Sequence, residues 1–470
     1  MAAQPPQRVG EECSAGEPAR ADRAEGIAER LAELLGEPLT GPLEQLSGGA
    51  SRATFTFATA SHGELVVQIE RRAAPEREAR AQAALLLAAA QAGVPVARVV
   101  AHGGADPALG TSWIVMQAVA GTTDPGRILT AQGVPPPHAL IDSIAAALTA
   151  VHRMPADQEL APRVDDPIAQ LRAAYDGLGQ PHPTFELAFR ALDGDRPAAR
   201  RTLVHGDFRV GNLMVDSAGV SAVLDWELAH VGDPIEDLGW LCVPAWRFMR
   251  PDRPAAGLGS REQLAQAYER HSGVQVDLDA LRRWELAGTL RWGVICVMQA
   301  FSHLSGARRS LEHAVIGRRA SEVEWDLLEM LDPRPAPARA SPAREREGPA
   351  PAAALHDRPT AVELLEAARE GLGEHVLGQL EGRPAFELRV ALRALGMVVR
   401  ELRLAPEHAR TRARALQLLG ARDEAELAAA IRSGTFDERR GELCAALREL
   451  VRAKLEVANP RYLEGAGTRT

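Results

Sequence analysis

Lysine is almost absent from this chain. Lys454 is the only one among 470 residues, and arginine carries nearly all of the positive charge. No lysine can therefore serve in a site built elsewhere in the sequence. Cysteine is also scarce. Cys13, Cys242, Cys296 and Cys444 are scattered without a C-x-x-C pair, which excludes a structural zinc site and points to a reduced, cytoplasmic protein. No apolar run is long enough to span a bilayer; the longest, such as Trp292 to Phe301, is about half the required length. The N-terminus lacks a basic stretch followed by an apolar one, so no signal peptide is expected. The net charge of −9 argues against nucleic acid as a partner. What is present is ordinary for a globular protein: 46% hydrophobic residues, 25% charged, and enough length for two or three domains.

The informative segment runs Leu203-Val204-His205-Gly206-Asp207-Phe208-Arg209-Val210-Gly211-Asn212, and Ala222-Val223-Leu224-Asp225-Trp226-Glu227 follows closely. An Asp precedes an Asn by five residues, and a second Asp ends an apolar strand. Metal-assisted phosphoryl transfer needs these groups: an acceptor for the hydroxyl proton and hard oxygen ligands for magnesium. Asp207 suits the first role, and Asn212 and Asp225 suit the second. Leu213–Val215 and Val220–Leu224 are expected to pair as a hairpin across Asp216 to Gly219, returning Asp225 to Asn212. Arg209, two residues beyond Asp207, can neutralise charge on a moving phosphate.

With Gly232-Asp233-Pro234 and Asp237-Leu238, residues 203–240 resemble the aminoglycoside phosphotransferase and choline kinase family. The H-G-D-F-R-x-G-N and L-D-W-E forms resemble the branch attached to acyl-CoA dehydrogenases. The resemblance covers roughly residues 25–331. It implies an α+β, bilobal protein-kinase-like fold, with a small β-rich nucleotide lobe and a larger helical lobe. It also implies Mg2+ and ATP or GTP, and a small hydroxyl-bearing acceptor.

The small lobe departs from that pattern. A kinase-like third strand carries a lysine that grips phosphates and pairs with a helix glutamate. Here the strand is Glu64–Glu70; the resemblance puts the lysine position at or near Gln68, and alignment back from Gly93-Val94-Pro95-Val96 puts Gln82 at the glutamate position. The two could hydrogen-bond each other without charge, or Arg71 or Arg72 with Glu76 or Glu78 could replace the pair. Ser47, Gly48, Gly49 and Ser51 form a loop whose backbone suits phosphate contact, with Arg52 beside it. Trp113 to Gly121 resembles the hinge, so backbone groups near Met116 and Ala118 are expected to meet the purine.

Ala139–His152 has helical periodicity; His152 is read as a packing or capping residue at its end, and His205 and Asp237 as groups that brace the loop. Trp284, Trp292, Phe301 and Trp325 are expected in the core, some of them beside Trp240 and Trp246 in the acceptor cleft. The expected organisation is a disordered tail (1–25), a nucleotide lobe (26–120), a helical lobe (121–331), a flexible Pro/Ala-rich linker (332–355), an all-α accessory domain (356–460) and a tail (461–470). The accessory domain starts with the capping box Thr360 to Glu363 and resembles an uncharacterised helical domain. Its helices are expected at Phe386–Leu404, Glu407–Leu419, Asp423–Arg432 and Phe436–Ala458, and it offers a surface for a protein partner or self-association. The resulting expectation is a magnesium-dependent small-molecule kinase. The alternatives are a pseudokinase-like binding module acting through its helical tail, and an aminoglycoside antibiotic phosphotransferase.

Overall fold

The computed structural model describes residues 17–46, 52–70, 76–130, 133–157, 159–194, 200–334 and 359–466. Its first lobe is an antiparallel sheet of β1 (Glu44–Gln45), β2 (Arg52–Thr59), β3 (Gly63–Glu70), β4 (Val99–Gly103) and β5 (Trp113–Gln117), in the order β1-β2-β3-β5-β4. The period of two along β2 and β3 sorts the side chains onto two faces. Ala53, Phe57, Leu65, Val67 and Ile69 pack against Ile27 and Leu31 of helix Glu17–Leu35. The opposite face carries Ile114 and Met116, which join helix Glu76–Gln91 and the second lobe in one cluster.

Helix Glu17–Leu35 begins inside the segment expected to be a disordered tail. Ile27 and Leu31 anchor it, and the chain before them stays helical through Gly26 back to Pro18, which sits in the first turn where its missing N–H breaks no helical bond. Residues 1–16 lie outside the described set.

The lobes join at Gly121. Thr122 and Val215 exchange backbone hydrogen bonds of 2.8 and 3.0 Å, and a Cβ on Gly121 would sit 2.6 Å from the Val215 carbonyl oxygen. Glycine alone allows this approach at φ +134°. In the second lobe, β6 (Thr202–Val204) pairs with β9 (His230–Gly232), and β7 (Leu213–Val215) with β8 (Val220–Val223). The expected hairpin is present, closed by a 2.9 Å bond from the Asp216 amide to the Gly219 carbonyl. Helix Pro137–His152 packs on β6 and β8, Arg261–Ser272 packs on that helix, and Leu278–Leu304 packs on helix Ile235–Leu241. The architecture is thus the expected β-rich lobe, larger helical lobe and all-helical C-terminal region.

That C-terminal region departs from expectation in two places. Gly382–Leu419 is one helix that passes through Pro406, where two were expected. Pro406 frees the Leu402 carbonyl, but Leu402 is 48% exposed, so water can take the freed group. Met397 and Val399 are buried on one side of the proline, and Ala415, Leu416 and Leu419 on the other, so packing holds both halves. The expected tail also contains a helix, Pro460–Ala466, which Tyr462 ties to Asp326 at 2.6 Å. The linker lies outside the described residues from 335 onward.

The C-terminal helices pack directly on the second lobe. Leu187, Trp325 and Leu328 share a buried cluster with Leu416, Leu447 and Leu455. The contact is also ionic. Arg432 reaches the buried Glu186 at 2.7 Å, and Lys454 donates to both oxygens of buried Glu324 at 2.9 Å. Burial alone would raise the Glu324 carboxyl, but Lys454 and His182 hold it at about 2. Phe301, expected in the core, is 50% exposed near the end of its helix, because the chain leaves the packed region at Ser305.

Candidate active site

The loop after β6 is held from beneath by one carboxylate. Asp237, in the first turn of helix Ile235–Leu241, accepts from the His205 amide (2.7 Å), the Gly206 amide (2.9 Å) and His152 Nε2 (3.1 Å). It is wholly buried; burial alone would raise its carboxyl, but these partners hold it below the usual range. Gly206 has φ +76°, and a Cβ there would lie 2.3 Å from the Leu228 carbonyl oxygen, so glycine is required. Burial keeps His205 neutral. Its Nε2 donates to the Leu224 carbonyl (2.9 Å), and its Nδ1 accepts the Asp207 amide (3.2 Å), a pattern that fits only the neutral ring. His152 and His205 thus brace the loop.

The next residues converge. Asp207 Oδ1 accepts from Trp240 Nε1 (2.8 Å) and Arg209 Nε (3.2 Å). Its Oδ2 accepts from Asn212 Nδ2 (2.6 Å). Asn212 therefore faces Asp207 with its amide nitrogen, and no described donor takes its carbonyl oxygen. The Leu224 amide donates to the Asn212 backbone carbonyl (2.8 Å), which brings Asp225 next to this pair. Asp225 stands at φ +61°, a strained conformation for a residue with a side chain. Its carboxyl opens onto the cleft and is pushed up to about 6 by partial desolvation and by the negative charges of Glu227 and Asp207. The positive charges of Arg52 and Arg209 oppose that shift. Among the described residues none donates a hydrogen bond to this carboxylate.

This donor set fits a hard divalent cation: two carboxylates close enough to repel and an uncommitted amide oxygen. Among the described residues, no three His, Cys, Asp or Glu side chains cluster as a self-sufficient metal site. A cation here would need further oxygen ligands from a bound phosphate.

A cavity of about 320 Å³ opens beside the loop, lined by Ile168, Leu171, Leu228, Trp240, Trp284 and Arg291 among others. Trp240 links its wall to Asp207. Arg291 lies 4.7 Å from the Trp240 ring centroid and donates to the Gly206 carbonyl at 2.9 Å. Asp233 is used structurally, accepting from Trp284 Nε1 at 3.0 Å, and Glu227 lines the cavity. The Arg209 guanidinium lies over Trp246, which packs on Trp292.

The small lobe is less complete. Ser47, Gly48, Gly49 and Ser51 lie outside the described residues, as do the side chains of Arg71, Arg72, Glu76 and Glu78. Gln68 sits on β3, opposite Thr54 on β2 and Ile114 on β5, on the face that turns to the second lobe. Gln82 lies on helix Glu76–Gln91, and no hydrogen bond joins it to Gln68, so the neutral pair does not form. Met116 is buried in the shared cluster. The Ala118 amide is not free for a purine, because it donates to the Glu64 carbonyl at 3.0 Å as the sheet's last rung. Trp240, expected in the acceptor cleft, also donates to Asp207, and two residues that sequence reasoning did not name adjoin the candidate site: Arg291, and Glu70, which accepts from Arg52 Nε at 3.1 Å. Trp240 was legible as three residues beyond Asp237 on one helix; the other two had no sequence signal.

Residues 42–274 match the phosphotransferase enzyme family, and residues 378–462 match a domain of unknown function, DUF6285. Acyl-CoA dehydrogenase family member 10 of Mus musculus is 32% identical over 244 residues, which cover 47% of this chain and 22% of that protein. Acyl-CoA dehydrogenase family member 11 of Pongo abelii is 26% identical over 141 residues, 28% of this chain and 17% of that protein. The chain thus spans about a fifth of the length of these relatives. A solved structure from Ralstonia eutropha JMP134, grouped with the aminoglycoside phosphotransferases, is 23% identical with a TM-score of 0.51. It covers 65% of this chain and 98% of its own, and the likeness is one of fold.

Proposed function

Because this chain belongs to the phosphotransferase enzyme family through residues 42–274, we propose that it transfers the γ-phosphate of ATP or GTP to a hydroxyl of a small metabolite. The observation that carries this reading is the convergence of Asp207, Asn212 and the strained Asp225 on one loop and one adjoining strand end. Asp207 orients the acceptor hydroxyl and takes its proton. Its carboxylate is fixed for that task by Trp240, Arg209 and Asn212. Asn212 Oδ1 and the Asp225 carboxylate would hold magnesium, which supplies neutralisation of the phosphate charge. Arg209 carries a further positive charge beside the transferring group.

The acceptor enters the cavity lined by Leu171, Trp240 and Trp284, whose volume suits a small ligand. Its mainly apolar walls, in which Arg291 is balanced by Glu236 at 3.6 Å, favour a compact metabolite over a polycationic aminoglycoside. The nucleotide lies against the sheet face bearing Gln68 and Met116. The divisions at residues 26–120, 121–331 and 356–460 and a reduced, cytoplasmic setting belong to this same reading. Among the described residues no helix is long and apolar enough to cross a membrane.

The neutral Gln68 and Gln82 favour a second reading, a nucleotide- or ligand-binding module that acts through its helical tail. The two readings separate in one assay: nucleotide consumption by the full chain with a panel of hydroxyl compounds, alongside nucleotide binding. Acceptor-dependent formation of ADP or GDP that vanishes in Asp207→Asn supports the enzyme. Binding without turnover for every acceptor supports the module.

A further inference from the structure

We propose that Arg52, anchored by Glu70, is the phosphate-gripping cation of the small lobe and takes the place of the lysine that a kinase-like sheet carries on its third strand. This rests on the reading that the cleft binds a nucleotide.

The basic position expected on β3 falls at or near Gln68, which is neutral, and the sole lysine is engaged with Glu324. In the β2–β3 ladder, Arg52 stands opposite Glu70 and Thr54 opposite Gln68. With a period of two, Arg52 and Glu70 therefore share the face of Gln68, displaced along the strands by about 7 Å. This is the face opposite Ala53, Phe57 and Ile69, and it turns to the second lobe.

Arg52 and Glu70 are joined at 3.1 Å, with side chains 17% and 14% exposed, so the pair is sheltered but open to the cleft. An anchored guanidinium loses less freedom on meeting a phosphate than a free one, and its fork suits phosphate oxygens. Arg52 also lies near enough to Asp225 for its charge to oppose the rise of that carboxyl. Arg209 is paired with Asp207 in the second lobe, and among the described residues Arg52 is the guanidinium that β2 and β3 bring to this face. The Lys–Glu pair between strand and helix becomes an Arg–Glu pair between two strands, which explains how Gln68 and Gln82 can both be neutral.

The test is a titration of the full chain with Mg-ATP and, separately, with adenosine, for wild type, Arg52→Gln, Arg52→Lys and Arg52→Gln/Gln68→Lys. Arg52→Gln is expected to weaken Mg-ATP at least tenfold while adenosine binding stays within twofold. Arg52→Lys keeps most of the phosphate-dependent affinity, and Gln68→Lys recovers part of the loss from the usual position. Equal losses for ATP and adenosine would assign Arg52 a merely structural role and overturn the inference. Unchanged Mg-ATP affinity in Arg52→Gln would overturn it while leaving nucleotide binding intact. A wild-type chain that bound no nucleotide would remove the nucleotide reading and this inference with it.

Discussion

Replacing the only lysine, Lys454→Met, should destabilise the protein without touching the loop at Asp207. Glu324 is 1% exposed and takes both of its strongest bonds from Lys454 Nζ, with His182 Nδ1 at 3.2 Å as a further partner. Its carboxyl is held at about 2 against an ordinary 4.5. A gap of that size corresponds to on the order of 3 kcal/mol between the charged and neutral forms. Lys454 is itself 40% exposed, so water entering its place relieves part of the loss, and the expected cost is about 2–3 kcal/mol. The sign with pH follows from a folded value below the unfolded one. The stabilisation is complete above about pH 4.5 and is lost as the pH falls towards 2. The penalty of Lys454→Met should therefore be full at pH 7 and shrink in acid. Denaturant unfolding followed by tryptophan fluorescence reads this directly, since Trp325 lies in the same buried cluster. Adding Glu324→Gln should restore part of the stability by removing the stranded charge. A cost below about 0.5 kcal/mol at pH 7, or no relief in the double variant, would refute the reasoning.

Asp207→Asn should abolish acceptor-dependent turnover while Mg-nucleotide affinity stays within a few-fold, as read by ADP or GDP formation and calorimetry. Asp237→Asn leaves one of the His205 and Gly206 amides facing an N–H instead of an oxygen. It should cost about 2–4 kcal/mol in denaturant unfolding and lower turnover with it. Ending the chain after Pro333 exposes Leu187, Trp325 and Leu328 and leaves Glu186 and Glu324 without Arg432 and Lys454. The shortened protein should melt several degrees lower or aggregate. An unchanged melting temperature would show that the contact contributes nothing.

The second-lobe site was legible because its chemistry is compressed into one stretch. Asp207, Asn212 and Asp225 stand on a loop and a tight hairpin, and the hairpin was readable from its strand–turn–strand pattern. The small lobe was harder, because its site is assembled across strands. Nothing in the spacing of Arg52 and Glu70 marks them as partners until the β2–β3 register is known. Gln68 and Gln82 were located on the correct elements, yet their mutual contact depends on how far the helix stands from the sheet. The Ala118 amide was lost to the sheet because an edge rung competes with any ligand for the same N–H. The break expected between Leu404 and Glu407, where Pro406 stands, was overridden by packing on both sides. The docking of the C-terminal helices had no local signal, since Arg432 and Lys454 meet Glu186 and Glu324 across more than a hundred residues.

The central claim is that the cleft holds a magnesium–nucleotide complex against Asn212 and Asp225. It is tested most directly by thermal unfolding of wild type and Asp225→Asn with Mg-ATP and Mg-GTP. Asparagine tolerates the positive φ of this position, so the variant should fold. A ligand at a hundred times its dissociation constant adds about 2.7 kcal/mol to the folded state. The account predicts a magnesium-dependent rise in Tm for wild type with at least one nucleotide, and its loss in Asp225→Asn. No rise with either nucleotide, or the same rise in both proteins, would contradict it.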